Sequence, residues 1–284
     1  FLYSALYDFT NQDTIALLEA HGCRTKVERG ERVFPVSDHA YSITDALKHA
    51  LKKLGVQIQY KTEVKKIELC DGKVRGVRTD HGFQTADAVI VATGGRTYPS
   101  TGSTGDGYRF AQEAGLQVTE TYPSLVALEV HEADAYRLKG LTLRNVAIDV
   151  RDEDGKSYYH DFGELEFMAE GLRGPVILSA SAVITKLVNA EDPEKWKLLT
   201  VHINLKPALD EEELDRRLLR DFEACRNKEL RNAFGALLPA QLIPIFNARL
   251  EARGVDIHRK VTEVDRETRK KAVALMRDFS YTIR

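Results

Sequence analysis

Apolar residues in the first part of the chain recur at the spacing of amphipathic helices. The stretch AYSITDALKHALKKLG (40–55) repeats apolar residues every three to four positions, which predicts a helix with one buried face. Residues 1–22 predict two shorter helices, and Gly22 is placed to end the second. The chain is therefore expected to begin with three helices.

The hydrophobic pattern becomes strand-like after residue 55. Residues 56–88 predict a small antiparallel unit with a tight turn at Asp71-Gly72. The run AVIVA (88–92) is apolar at every position, which is typical of a strand buried on both faces of a largely parallel sheet. Together these elements predict part of an open α/β sheet.

The chain changes character again after Pro123. Short β-rich segments follow, interrupted by a helix for which Pro175 suits the first position. Residues 210–278 carry helical periodicity. We therefore predict an α/β (α+β) fold with two domains, 1–122 and 123–284. The second is expected to be β-rich, with the stretch at about 210–278 as a helical insertion.

A glycine-rich loop, TGGRTYPSTGSTGDGY (93–108), follows the predicted buried strand. Ligands of open α/β sheets bind beyond the carboxyl ends of strands, and glycines allow a ligand to approach the backbone closely. Ser103 and Asp106 match a capping box, which predicts a helix start there and a stop at Gly115. Two interpretations fit the loop: a ligand site, or an ordinary turn and helix cap.

Composition and charge narrow the function classes. The 284 residues are 43% hydrophobic and 30% charged, with a formal net charge of −2, so we expect neither nucleic-acid nor membrane binding. Cysteines 23, 70 and 225 lie far apart, which predicts free thiols in a reducing cytoplasm. The eight histidines show no metal-binding spacing, so no metal site is expected. We find no membrane-spanning segment in the sequence.

Four stretches together resemble one bacterial family. The chain looks like the BaiN/YhiN-like flavoproteins, also called the aminoacetone oxidase family of FAD-binding enzymes. The resemblance runs in order over essentially the whole chain, through residues 1–22, 30–40, 92–108 and 163–178. It implies a partial FAD-binding Rossmann-like sheet and a β-barrel-like middle domain. It also implies a middle fragment, because the family's GxGxxG motif would precede residue 1 and its last flavin-contacting segment would follow residue 284.

The resemblance also implies a set of FAD-contacting residues. Val64 matches a position whose backbone meets the adenine, although a buried strand residue would look the same. Tyr98 matches a loop on the flavin side, and Gly105 lies where the next helix starts, which also fits a purely structural role. The implied cofactor-binding set is Val64, Ala92, Thr93, Gly94, Gly95, Tyr98 and Gly105. The catalytic residues remain unknown.

One stretch departs from the family pattern. Where the family reads like FTHxGLSGP, this chain has FMAEGLRGP (167–175), with Met168 and Ala169 in place of Thr and His. Arg173 stands where a Ser is usual. An arginine at a helix start is a poor match to the helix dipole. A carboxylate or phosphate partner would explain Arg173 better, but we expect solvent to be its partner.

These features favour a fragment of an FAD-dependent oxidoreductase that acts on a small organic substrate. A non-catalytic nucleotide- or partner-binding domain is the alternative. A third hypothesis is a non-redox, nucleotide-binding relative of flavoproteins, such as a tRNA-modifying one, which the lack of basic patches disfavours. For the chain itself we expect weak or no FAD binding, and self-association through exposed sheet edges.

Overall fold

A computed structural model of the chain describes residues 2–28, 31–190 and 199–284. These residues form two compact units, 1–119 (unit 1) and 120–284 (unit 2). Both units mix helices with antiparallel sheets, and the predicted α/β class is confirmed. The proposed domain boundary at 122/123 stays a prediction about the whole protein.

Unit 1 contains short helices, a hairpin and a three-stranded meander. The predicted helices are present, and so is the predicted antiparallel unit from Val64 onward, because each arises from a local pattern of apolar residues. Residues 56–63, expected to belong to the same unit, have no regular secondary structure. In chain order the elements are α1 (Tyr3–Asp8), α2 (Asn11–Ala20), β1 (Thr25–Glu28), β2 (Arg32–Pro35), α3 (Tyr41–Lys53), β3 (Val64–Cys70), β4 (Lys73–Thr79), β5 (Gly82–Thr85) and α4 (Asp106–Glu113).

The predicted buried strand at residues 88–92 is wrong. This segment has no regular secondary structure, and Ile90 is 91% exposed. A parallel strand needs neighbours to satisfy its backbone and cover its side chains. Within the described part of unit 1, the sheets are the β1–β2 hairpin and the β3–β4–β5 meander, both antiparallel. The apolar run therefore has no sheet to join.

Unit 2 is built on a six-stranded antiparallel sheet in the order β11-β10-β7-β8-β9-β6. The helices of the predicted insertion follow β10 and precede β11. The elements are β6 (Leu128–Glu129), α5 (Asp134–Arg137), β7 (Thr142–Arg151), β8 (Ser157–Phe167), β9 (Gly171–Arg173), α6 (Pro175–Ala190), β10 (Thr200–Asn204), α7 (Glu211–Glu223), α8 (Ile243–Ala252), α9 (Arg266–Arg277) and β11 (Phe279–Thr282).

The two outer strands of this sheet approach each other. Val130, just after β6, forms an isolated antiparallel bridge with Ile283, just after β11. The Arg284 amide donates to the Glu129 carbonyl at 2.9 Å, and the His131 amide donates to the Thr282 carbonyl at 3.0 Å. The described residues form no closed barrel, because a single bridge, and not a continuous ladder, joins the two edges of the sheet.

The main core lies in unit 2, between the sheet and the helices. Strand residues alternate as expected for a sheet with one buried face: Ile148 and Val150 are fully buried, whereas Asp149 and Arg151 on β7 are half-buried. Among the described residues, five large aromatic side chains are fully buried, and they form edge-to-face, tilted and stacked contacts with one another: Phe167, Phe234, Phe246, Phe279 and Tyr281.

A salt bridge ties the helices to the end of the sheet. Arg249 on α8 donates from Nε and Nη2 to the two carboxylate oxygens of Asp134 on α5, at 2.9 and 3.1 Å. Its Nη1 donates to the Ser280 carbonyl of β11 at 2.8 Å. The guanidinium also lies 4.0 Å from the ring centroid of Phe279 and 4.5 Å from that of Tyr281. One side chain thus joins three elements.

Candidate functional site

The glycine-rich loop enters α4 through left-handed backbone. Gly94, Gly102 and Gly105 have φ of +72°, +98° and +90°, and Tyr98 adopts +56°. Glycine is favoured at such angles because it has no Cβ. The positive φ strains the backbone of Tyr98, which has a Cβ, and the Tyr98 side chain is 74% exposed.

The predicted capping box at Ser103 and Asp106 is wrong, although the helix starts where expected. The residue at the N-cap position is Gly105, and no side chain caps the helix. A capping residue needs extended backbone, whereas Gly105 has φ +90°. The Thr104 hydroxyl donates instead to the Asp106 carboxylate at 2.9 Å. The predicted stop is confirmed, since α4 ends at Glu113 and Gly115 follows with φ +79°.

Two glycines let the loop lie directly against the first turn of α4. A Cβ on Gly94 would come within 2.9 Å of Ser103 Oγ, and one on Gly107 within 3.0 Å of Thr93 Oγ1. Real Cβ atoms rarely come so close to other atoms. The loop therefore packs closely on the helix start because both positions are glycine.

The backbone of residues 87–97 has no hydrogen-bond partner within the described protein. Within the described ranges, none of its N–H or C=O groups forms a hydrogen bond. Native proteins pair nearly all backbone groups with protein, water or ligand. A segment with apolar side chains and free backbone groups can pair with another strand, or it can present its amides to a ligand.

Arg109 connects α4 to the meander. Its Nη1 donates to the Lys65 carbonyl at 2.7 Å, and its Nη2 donates to Asp106 Oδ1 at 3.0 Å. The Lys65 carbonyl is available because the β3–β4 register shifts between Val64 and Lys66. The Arg109 guanidinium, followed by the Thr104 hydroxyl, holds the pKa of Asp106 below its usual value.

The structure brings most of the predicted cofactor residues into one region of unit 1. Residues 92–95 lie on the start of α4 beside Gly105, and Arg109 ties the same helix to the residue after Val64. Tyr98 lies at the exposed turn between them. Whether these residues contact FAD remains a prediction.

Sequence reasoning missed Arg109. Its spacing from Asp106 and Glu113, three and four residues away on one helix, is a recognisable ion-pair signal. Its bond to the Lys65 carbonyl carries no such signal, because it depends on a bulge in a strand that is distant in sequence.

Comparison with known sequences decides the family. The chain matches the HI0933-like protein Rossmann domain over residues 1–268. It belongs to the HI0933-like Rossmann-domain family. This is a family of FAD-binding flavoproteins, so the resemblance described from the sequence is confirmed.

Several curated proteins are similar to this HI0933-like chain. A ribosomal RNA dihydrouridine synthase of Haemophilus influenzae is 32% identical over 64% of the chain and 45% of its own length. A 3-dehydro-bile acid delta(4,6)-reductase of Clostridium scindens is 26% identical over 86% of the chain and 58% of its own length. A ribosomal RNA dihydrouridine synthase of Escherichia coli is 28% identical over 86% of the chain and 56% of its own length. The chain thus spans about half the length of these relatives.

The departure from the HI0933-like pattern at residue 173 has a structural explanation. Arg173 donates to Glu166 Oε1 at 2.6 Å, and the two residues are paired across β8 and β9. The Glu166 carboxylate raises the pKa of Arg173. The expectation that solvent would be its partner is wrong, since a cross-strand carboxylate lies opposite.

The described residues of this HI0933-like chain show no disulfide bond, no metal-binding cluster and no membrane-spanning helix. The three cysteines are free thiols. Among the described residues, no group of three or more His, Cys, Asp or Glu side chains is arranged to hold a metal ion. None of the described helices combines the length and apolar character that crossing a bilayer requires.

Proposed function

We propose that this chain is part of an FAD-dependent oxidoreductase that acts on a small organic substrate. The observation that carries the proposal is the free backbone of residues 87–97, which lies against a glycine-built helix start in a family of FAD-binding flavoproteins. Eleven consecutive residues of backbone are left without a partner in the described protein, and membership of a flavoprotein family favours FAD over another strand as the group that they meet.

The residues of unit 1 fit a flat, polar-edged cofactor. Gly94 and Gly95 have no side chain to keep a ring away from the backbone. In this proposal, the backbone of residues 92–95 borders FAD, with Tyr98, Gly105 and Val64 completing the set. FAD supplies the redox chemistry, and the chain binds and orients it.

The names of the relatives favour a reductive reaction. One is named a reductase, and two are named for the synthesis of a dihydro product. We therefore propose that the protein reduces an unsaturated organic substrate. A second candidate is uridine within ribosomal RNA, which the names of two relatives favour, against the net charge of −2.

The test is flavin retention by the intact protein. We expect it to show a flavin absorbance spectrum that bleaches on anaerobic reduction, and an intact protein that never retains flavin would refute the proposal. A small unsaturated substrate and an RNA fragment, each added to the reduced protein, separate the two candidates by which one reoxidises the flavin.

A matched pair of variants locates the cofactor. Gly94→Val places a side chain at φ +72° against Ser103, and we expect at least about tenfold weaker flavin binding. Gly140→Val is the control, because Gly140 has φ +85° and no atom lies within 4 Å of a Cβ built there. It reports on backbone strain alone and should bind flavin like the wild type. If both variants bound flavin with equal affinity, residues 92–95 would not be part of the flavin site.

A further inference from the structure

A bulge in β7 directs two polar residues to one surface of unit 2. Leu143 pairs with Leu165 and Val146 with Gly163, so Arg144 and Asn145 share a single opposing residue on β8. Both are exposed. Bulges re-aim side chains, and they are over-represented beside functional sites.

These residues line a cavity of about 190 Å³. Its walls are residues 142–146 of β7, residues 205–206 after β10, and residues 237–239 with Leu242 before α8. Leu205, Leu237 and Leu238 give it an apolar wall. Arg144 and Lys206 are the charged residues of the lining, which contains no carboxylate.

Neither cation is neutralised. Across the described ranges, neither Arg144 nor Lys206 has a side-chain ion pair or hydrogen bond. Burial, followed by the charge of Arg217, lowers the pKa of Lys206. Arg217 itself is paired with Asp221 at 2.8 Å. Lys206 is thus a partly desolvated cation, and the exposed Arg144 is a second unpaired cation in the lining of the same cavity. An anion bound in the cavity would stabilise both charges.

We propose that this cavity binds the phosphate group of an organic phosphate ester. The Arg144 guanidinium offers a planar fork of donors and Lys206 a point charge, and both suit phosphate oxygens. Asn145 and Thr142 line the same space and add neutral donors. The leucine wall covers the organic group of the ester. The proposal does not rest on the proposed oxidoreductase function.

Phosphate esters of two kinds carry this chemistry: a soluble monoester and the backbone of RNA. The test titrates phenyl phosphate, inorganic phosphate and a short oligouridylate into the 284-residue chain by calorimetry. We expect saturable binding of phenyl phosphate, about tenfold tighter than that of inorganic phosphate because of the apolar wall. Stronger binding of the oligouridylate than of phenyl phosphate would identify RNA as the source.

Two substitutions and a control make the test specific. We expect Lys206→Gln and Arg144→Gln each to weaken binding about tenfold, and Arg144→Lys to retain part of it. Lys186→Gln removes an exposed lysine on α6 outside the cavity, and should bind like the wild type. Unchanged circular dichroism shows that each variant is folded. Absence of saturable binding, or equal binding by Lys206→Gln and wild type, would overturn the proposal.

Discussion

Replacing Arg249 with methionine should destabilise unit 2 by about 3 kcal/mol. The side chain of Arg249 is 19% exposed and that of Asp134 is 24% exposed, so the ion pair is largely shielded from water. Methionine keeps an unbranched apolar stem like that of arginine, but it ends short of the guanidinium nitrogens. The loss therefore reports on the guanidinium and not on packing of the stem.

The magnitude follows from the contacts of the guanidinium. Removing one partner of a buried ion pair costs about 3–5 kcal/mol, because the other charge is left unpaired. Because Asp134 remains partly exposed to water, we expect the destabilisation to lie at the low end of that range. Loss of the bond to the Ser280 carbonyl and of the two ring contacts adds to the cost, whereas hydrophobic contact by the methionine side chain offsets part of it.

Urea denaturation followed by circular dichroism measures the change. For a domain the size of unit 2, 3 kcal/mol corresponds to a fall in melting temperature of roughly 6–12 °C. Arg226→Met is the control, because Arg226 pairs with Glu223 at 3.1 Å with both side chains more than half exposed. It should change stability by less than about 0.5 kcal/mol.

A double substitution separates the charge from the geometry. Arg249→Met with Asp134→Leu removes both charges, so no buried carboxylate is left unpaired. We expect it to recover at least about half of the lost stability. A loss below about 1 kcal/mol for Arg249→Met alone, or a double variant less stable than the single one, would refute the reasoning.

Three further predictions test other parts of the chain. The hydrogen bond between His202 and Asp278, at 2.7 Å, lowers the pKa of the Asp278 carboxyl in the folded protein. This contact stabilises the folded state at pH values above the unfolded pKa of Asp, about 3.9. The stabilisation is lost as the pH falls through the lower pKa that Asp278 has in the folded protein. Asp278→Asn should therefore be less stable than wild type near neutral pH, with the difference closing in acid, as shown by urea denaturation across pH. Ile90→Lys should reduce self-association, measured by light scattering, because Ile90 is 91% exposed; an unchanged mass would contradict this. Gly171→Ala would place a Cβ 2.0 Å from the Leu128 carbonyl oxygen, and it should lower the melting temperature by several degrees.

Local patterns were sufficient to predict much of the fold. The helix at 41–53 and the strands at 64–70, 73–79 and 82–85 follow from periodicity and turn residues within short windows. The run at 88–92 was predicted wrongly for the same reason. Its apolar sequence is suited to a strand, but strand formation depends on neighbours that a local window does not contain.

The features of the candidate sites differ in how well they can be predicted from the sequence. The glycines at 94 and 105 are visible in the sequence, although the cap at Ser103 is not formed because Gly105 turns into the left-handed region. The pairing of Arg173 with Glu166 depends on the register of β8 and β9. Arg144 and Lys206 line one cavity because the bulge in β7 lies beside the end of β10, and no spacing rule in the sequence connects them.

The bridge between Val130 and Ile283 has a mechanical consequence. With the Arg284 amide bonded to the Glu129 carbonyl, it ties the two edge strands of the unit 2 sheet, β6 and β11, to each other. Separating either edge strand from the sheet at this point must also break its contact with the other edge. The two edges therefore resist fraying together, and they present fewer free backbone groups to another chain there.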